Sequence, residues 1–277
     1  QAFKNGFLTL DTGYTEGYQQ TNSTKTDGSR SHIFADLNLK LNEDNSYNSD
    51  LSFKIQRTSN DTYFRVHDIN TALVDSENTN LENIINYNFS KDNMYLNISG
   101  ALYEDLRANT NNRYEYILPN ILFGKSFFTE KLGTVNFESN AYSRNYNVDT
   151  HLSTLTNDII WTPNSYITKK GFINSLGAMI KNTNYKAKNT GDYKTQAVVN
   201  ELNSVLSFKS SLPMKKEGVA YSNIFSPNFM VRYAPGHMRN LSGDDVKLKY
   251  ANLFSTNKTT VIENGLSAVL GFDFKTN

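Results

Sequence analysis

The 277-residue chain contains no cysteine, only five prolines and one tryptophan, and its formal net charge is +1. Without Cys there are no disulfides, thiolate metal sites or Cys nucleophiles in this segment. A near-neutral balance offers no electrostatic reason to expect nucleic acid as a partner. No run approaches the roughly 18 apolar residues of a spanning helix, which excludes helical insertion into a membrane. No basic n-region followed by an apolar h-region stands at Gln1, so no secretion signal is visible, and for an exported protein that means a mature or truncated start.

Chemistry-bearing patterns are equally sparse. His32, His67, His151 and His237 are scattered, with no second His or carboxylate at a ligand spacing, so solvated histidines are expected and neither a metal nor another cofactor. Asp244 and Asp245 beside Gly243 suit a divalent ion, but such a loop suits a turn as well. No Gly-rich phosphate loop, nucleophile elbow or paired His and Ser motif appears, so no catalytic residue is assigned. The sequons at Asn22 and Asn60 are what an Asn-rich chain produces by chance.

What the chain does have is alternation. Ile33, Ala35, Leu37, Leu39 and Leu41 point one way while Phe34, Asp36, Asn38 and Lys40 point the other, because successive strand side chains face opposite sides. Leu51, Phe53 and Ile55 oppose Ser52, Lys54 and Gln56, and Met94, Leu96, Ile98 and Leu102 oppose Tyr95, Asn97, Ser99 and Tyr103. Leu202, Leu206, Phe208 and Leu212 oppose Asn203, Ser207 and Lys209. Leu266, Ala268, Leu270, Phe272 and Phe274 oppose Ser267, Asp273 and Lys275. No charge sits on the apolar face of these five runs. With hydrophobic residues at only 38% of the chain, something polar must line the other side.

Period 2 and the turn residues predict about thirteen strands, near 7–20, 32–41, 50–57, 81–89, 94–106, 114–128, 133–144, 150–161, 171–185, 196–212, 219–233, 246–254 and 261–275. Long connections at 21–31, 58–80, 107–113, 186–195 and 234–245 alternate with short ones at 42–49, 90–93, 129–132 and 213–218. The short connection at 145–149 breaks the series. Such asymmetry is a property of outer-membrane barrels, whose rims face different compartments. Many runs approach the length of about nine to eleven residues that a tilted membrane strand needs, against about five or six in soluble sheets. The fold class expected is therefore all-β, an antiparallel transmembrane β-barrel; a soluble sandwich or solenoid shares the alternation but not the strand length. Aromatic residues at proposed strand ends (Tyr87, Phe89, Tyr103, Phe127, Phe128, Tyr146, Trp161, Tyr166) suit interfacial girdles, and ordinary strand propensity also places them there. Pro119 and Pro227, inside strand-like runs, are each expected to mark a bulge or a weakened strand pair.

An odd strand count does not suit single-chain bacterial barrels, and no internal domain boundary is evident. Residues 1–277 are thus expected to be part of a larger barrel whose closing strands lie outside this segment.

Three stretches carry a family resemblance. One is Asn-Phe-Met-Val-Arg-Tyr-Ala-Pro-Gly-His-Met-Arg-Asn-Leu-Ser-Gly-Asp-Asp at 228–245, followed by Tyr-Ala-Asn-Leu-Phe-Ser-Thr-Asn-Lys and Val-Ile-Glu-Asn-Gly-Leu-Ser-Ala-Val-Leu-Gly-Phe. The others are Ser-Asn-Asp-Thr-Tyr-Phe-Arg at 59–65 and Arg-Tyr-Glu-Tyr-Ile-Leu-Pro at 113–119. In sequence and order they resemble the barrel domain of the LptD family, lipopolysaccharide-assembly proteins of the outer membrane also called organic solvent tolerance proteins. The motif residues singled out are Asp61, Tyr63, Arg65, Arg232, Arg239, Asn240, Asp244, Asp245, Asn252 and Phe254.

The resemblance implies a non-enzymatic barrel of about 26 strands in the bacterial outer membrane, which takes lipopolysaccharide from a periplasmic bridge protein and inserts it into the outer leaflet. It also implies an LptE-type lipoprotein plug, a periplasmic jelly-roll domain that this segment lacks, and a lateral gate between the first and last strands. Moving an amphiphile needs polar walls for its sugar head. The candidates for that lining, or for plug contact, are Asp36, Asn38, Lys40, Ser52, Lys54, Gln56, Asn97, Glu138, Asn203, Lys209 and Asp273. Arg65, Arg232 and Arg239 are candidates for pairing with anionic phosphates, Arg239 being equally suited to Asp244 or Asp245. Two rivals stay open: a general porin or receptor barrel, and an outer-membrane hydrolase, which would need His151 or His237 beside a Ser and an Asp.

Overall fold

Residues 2–3, 5–16, 29–42, 46–75, 77–108, 112–147, 149–189, 198–218, 221–235 and 265–276 are described by the computed structural model. The strands are β1 (Ala2–Phe3), β2 (Gly6–Glu16), β3 (Ser29–Lys40), β4 (Asn48–Thr58), β5 (Asn80–Lys91), β6 (Met94–Asp105), β7 (Tyr114–Thr129), β8 (Gly133–Tyr146), β9 (Thr150–Thr162), β10 (Tyr166–Ile167), β11 (Ile173–Lys188), β12 (Val198–Ser211), β13 (Met214–Glu217), β14 (Ser222–Ala234) and β15 (Gly265–Thr276). One short helix, α1 (Tyr63–His67), lies between β4 and β5. Hydrogen-bonded neighbours follow chain order from β1 to β9, then run through β11, β12 and β14; β10 pairs β11, while β13 and β15 pair β14. Most neighbours in the sheet are close in chain order, joined by short turns on one side and longer loops on the other, which antiparallel pairing permits.

The chain forms two compact units, one of residues 1–124, 139–155 and 184–199, the other of 125–138, 156–183 and 200–277. In the first unit the register lines up rows of largely like chemistry, although Phe7, Ile84 and Ala101 fall on the mostly polar face. Leu8, Leu37, Phe53, Ile85 and Gly100 stand opposite one another in sequence across β2 to β6, and Leu39, Leu51, Tyr87 and Ile98 form the next row. On the opposite face Phe7, Asn38, Ser52, Asn86 and Ser99 form one row, and Lys40, Asp50, Asn88 and Asn97 another. A slip of one residue anywhere would mix the two chemistries, so the pattern itself pins the register.

The second unit repeats the division. On the apolar face of β12, β14 and β15, Leu202, Leu206, Tyr233, Leu266, Leu270, Phe272 and Phe274 are all exposed, Leu270 at 80% of its accessible surface. The other face of β12 and β14 holds Val205, Ser207, Asn228, Met230 and Arg232, all buried. A soluble sandwich demands the reverse, apolar side chains inside. Contiguous exposed apolar area on this scale marks a surface made for contact with hydrocarbon or protein.

Several expectations need correction. The connection expected at 213–218 is largely the strand β13, which pairs Met214 to Glu217 with Phe225 to Ser222. The segment at 58–80 is no plain loop, since it contains α1 and packs on the sheet. The brevity of the connection after β8 is accommodated by Asn147 and Asp149 at φ 50° and 63°, a conformation that Asn and Asp tolerate better than most residues. The strand expected at 246–254, and residues 17–20 of the first long run, lie outside the described residues. Pro227 marks a change of partner: β14 pairs β12 from Asn228 onward and β13 up to Phe225, while its ladder to β15 continues through Pro227 itself. β7 runs through Pro119.

Candidate functional site

The described residues of 59–79 lie against the ends of β3 to β6, and packing explains why. Phe34, placed by period on the polar face of β3, would expose a large ring there. Instead it is fully buried, stacked on Phe64 of α1 with centroids 5.6 Å apart and on His32 at 4.6 Å. Phe34, Phe64, Val74, Leu81 and Leu106 form one buried cluster, with Ile69 and Leu73 packed against it.

A polar layer surrounds that cluster. His32, expected to be solvated, is instead buried, its Nδ1 2.9 Å from the Tyr63 hydroxyl and its Nε2 3.2 Å from Asp11 Oδ1. Burial pushes the Tyr63 phenol above its ordinary pKa, and the charge on Asp11 adds to the rise while Arg30 opposes it. Arg113 joins the two motif segments that lie far apart in the chain: its Nη2 donates to Asp61 Oδ2 at 3.1 Å and to the Ala108 carbonyl at 3.3 Å. Its Nη1 is 3.7 Å from Glu104 Oε1, and all three side chains are almost entirely enclosed. Resemblance singled out Asp61 but passed over Glu104. The signal was there, an acid at an even position of β6, where Met94, Leu96, Ile98 and Leu102 are apolar.

Between β4 and β5 the backbone ladder stops early. Its register runs from Asn48 opposite Ser90 to Lys54 opposite Ile84, although β4 continues to Thr58 and β5 begins at Asn80. Side-chain amides bridge the remainder. The Gln56 N–H donates to Asn83 Oδ1 at 3.1 Å, the Glu82 N–H donates to Gln56 Oε1 at 2.9 Å, and Gln56 Nε2 donates to the Leu73 carbonyl at 3.1 Å. Gln56, a candidate for an open polar lining, is therefore buried and occupied within the protein. A groove of about 1010 Å³ opens on the apolar face here, lined by Ile33, Ile55, Arg57, Asn83, Leu102 and Leu118 among others.

The remaining candidates fall as follows. Asp36 accepts from Asn38 Nδ2 at 2.6 Å, Lys54 pairs with Glu82 at 2.7 Å, and Asn97 Nδ2 donates to Asn86 and Asn88 at 2.5 and 2.6 Å. Lys40 stands opposite Asp50 and Asn38 opposite Ser52. These residues share one face of the first unit, where they form a hydrogen-bonded polar surface. In the second unit Asp273 accepts from Asn228 at 2.8 Å, Lys209 stands opposite Met230, Asn203 is half-buried and Glu138 is exposed. Arg232 is 98% enclosed, which does not suit it to receive a phosphate from outside. Arg65 belongs to α1 by its backbone; Arg239, Asn240, Asp244, Asp245, Asn252, Phe254 and His237 lie outside the described residues. His151 does have a serine neighbour, its Nε2 2.8 Å from Ser153 Oγ, but its Nδ1 faces Asn145 at 2.6 Å rather than the Asp a hydrolase was expected to supply.

Antiparallel strands of eleven to sixteen residues, one face apolar and exposed and the other polar, are the architecture of a membrane-crossing β-barrel wall. The chain is of that class. It matches the family model described as LPS transport system D over residues 28–273, and so belongs to the LptD family. That family comprises non-enzymatic barrels of the bacterial outer membrane that transport lipopolysaccharide. No curated protein matches the chain.

Proposed function

We propose that this chain supplies part of the wall of a large outer-membrane barrel that delivers lipopolysaccharide into the outer leaflet. Further strands would complete the closure, and a periplasmic jelly-roll domain would receive the lipid. The polar rows that include Asp36, Asn38, Lys40, Lys54 and Asn97, with Glu138, Lys209 and Asp273 in the second unit, face the lumen and contact the sugar head or a lipoprotein plug. A periplasmic bridge protein hands over the substrate. No bond is made or broken in such a task, so binding surfaces suffice.

The observation that carries this reading is the two-faced strand pattern inside a family match that spans both units. The end covered by residues 59–79 is then the external rim, because the long connections gather there: Leu106 N–H donates to the Thr79 carbonyl and Ser31 N–H to Ser59 Oγ.

Depletion of the full-length protein from its host tests the proposal. Newly made lipopolysaccharide should accumulate on the periplasmic side and reach the surface again when the full-length gene is restored. Normal surface lipopolysaccharide after depletion, together with a stable open conductance of the purified protein in planar bilayers, would identify a porin instead.

A further inference from the structure

The walls of the groove beside the parted strands β4 and β5 are mostly side chains of the apolar face, with Gln56, Ile84 and Ala101 of the other face also in its lining. Ile33, Phe53, Ile55 and Ile85 wall it, and Leu118 lies over Gly100 at its floor, so close that a Cβ on Gly100 would meet Leu118 Cδ2 at 2.4 Å. The walls are continuous with exposed rows of the same face, since Phe53 stands between Leu37 and Ile85. Toward the strand ends the chemistry changes. Arg57, opposite Ile33, is exposed. The other charge in the groove, Glu104, is already engaged by Arg113 and by the Tyr114 hydroxyl at 3.4 Å.

An apolar trough with a cation at its rim-side end matches a lipid tail with a phosphate at its head, and it matches nothing as well in a polar lumen. We infer that this groove is a binding site for an anionic, phosphate-bearing acyl lipid of the surrounding membrane, tail along Ile55, Ile85 and Leu118 and phosphate on Arg57. The inference rests on the membrane-facing reading of the apolar rows. It gives a physical role to the early end of the β4–β5 ladder. Where β4 and β5 stop pairing directly, a shallow face becomes a trough, and the side-chain amides of Asn83 and Gln56 take the Gln56 and Glu82 N–H groups that the ladder no longer pairs, as a backbone opened in hydrocarbon requires.

The test uses the full-length protein carrying a photoreactive benzoylphenylalanine at Ile85, in the groove, or at Leu10, exposed on the same face outside it. Each is reconstituted in phosphatidylcholine vesicles containing a minor fraction of phosphatidylglycerol, and adducts are read by mass spectrometry. One cation near a membrane surface predicts about fivefold enrichment of phosphatidylglycerol at Ile85 over Leu10, lost in Arg57→Gln. Equal ratios at both positions, enrichment that survives R57Q, or a protein adduct at Ile85 would overturn the lipid site. Absence of lipid adducts at both positions would instead overturn the membrane-facing assignment on which it rests.

Discussion

Arg113 holds the covered strand ends together through charges that cannot be left alone. It is enclosed with two carboxylates, Asp61 and Glu104, and removing one partner of a buried ion pair costs about 3–5 kcal/mol. Arg113→Met should therefore lower the stability of the full-length protein in lipid vesicles by that amount in a urea titration, whereas Arg107→Ala should cost at most about 1 kcal/mol, since the Arg107–Asp105 pair is largely exposed. Equal effects would show that the Arg113 site is wet. Tyr63 makes a second prediction. Its phenol is raised by burial and by Asp11, so the folded state holds the proton more tightly than the unfolded one. The stability it contributes is complete below the ordinary value near 10 and declines as pH rises above it. Tyr63→Phe should flatten that alkaline decline, measured as the pH dependence of the unfolding midpoint.

At the scale of elements, residues 59–79 and β4 with β5 behave as one device. Phe34 and Leu81 lie on opposite faces by period, yet they share a cluster with Phe64 and Val74, because the segment folds across the place where the ladder has ended. Phe64→Ala removes the ring stacked on Phe34 and should cost about 3–5 kcal/mol of docking. The readout is protease cleavage near residues 68–73, which should become fast while the strands stay protected. Gln56→Leu would strand the Glu82 N–H and the Leu73 carbonyl, at roughly 1–3 kcal/mol for each buried group. Hydrogen exchange at the Glu82 amide should accelerate, and an unchanged rate would mean that the amide bridge is not what closes the seam. Alternation read the positions of these strands correctly but could not show this. Gln56 has the period of a solvated residue, and only the contact with Leu73, distant in sequence, makes it a structural bridge.

For the whole molecule the decisive question is which face meets hydrocarbon. Leu37→Arg or Leu270→Arg near the membrane midplane should cost about 2–4 kcal/mol, while Asn38→Arg on the polar row should be nearly neutral, compared as folding free energies of the full-length protein in vesicles. Equal costs would contradict the assigned faces. The described strands largely follow the ranges that period 2 predicts, because a half-apolar strand has a single register that keeps its chemistry sorted. What period cannot express is long-range. The meeting of Asp61 with Arg113, the burial of His32 against Asp11 and Tyr63, and the partner change at Pro227 each join residues whose spacing in the chain carries no signal. By itself the sequence determined the strands, their two faces and the membrane class, since all of these follow from side-chain alternation along a locally extended backbone. Only the tertiary structure decided where a ladder stops, which charges are enclosed and which polar residues the protein uses for itself, because burial is a property of neighbours that folding brings together.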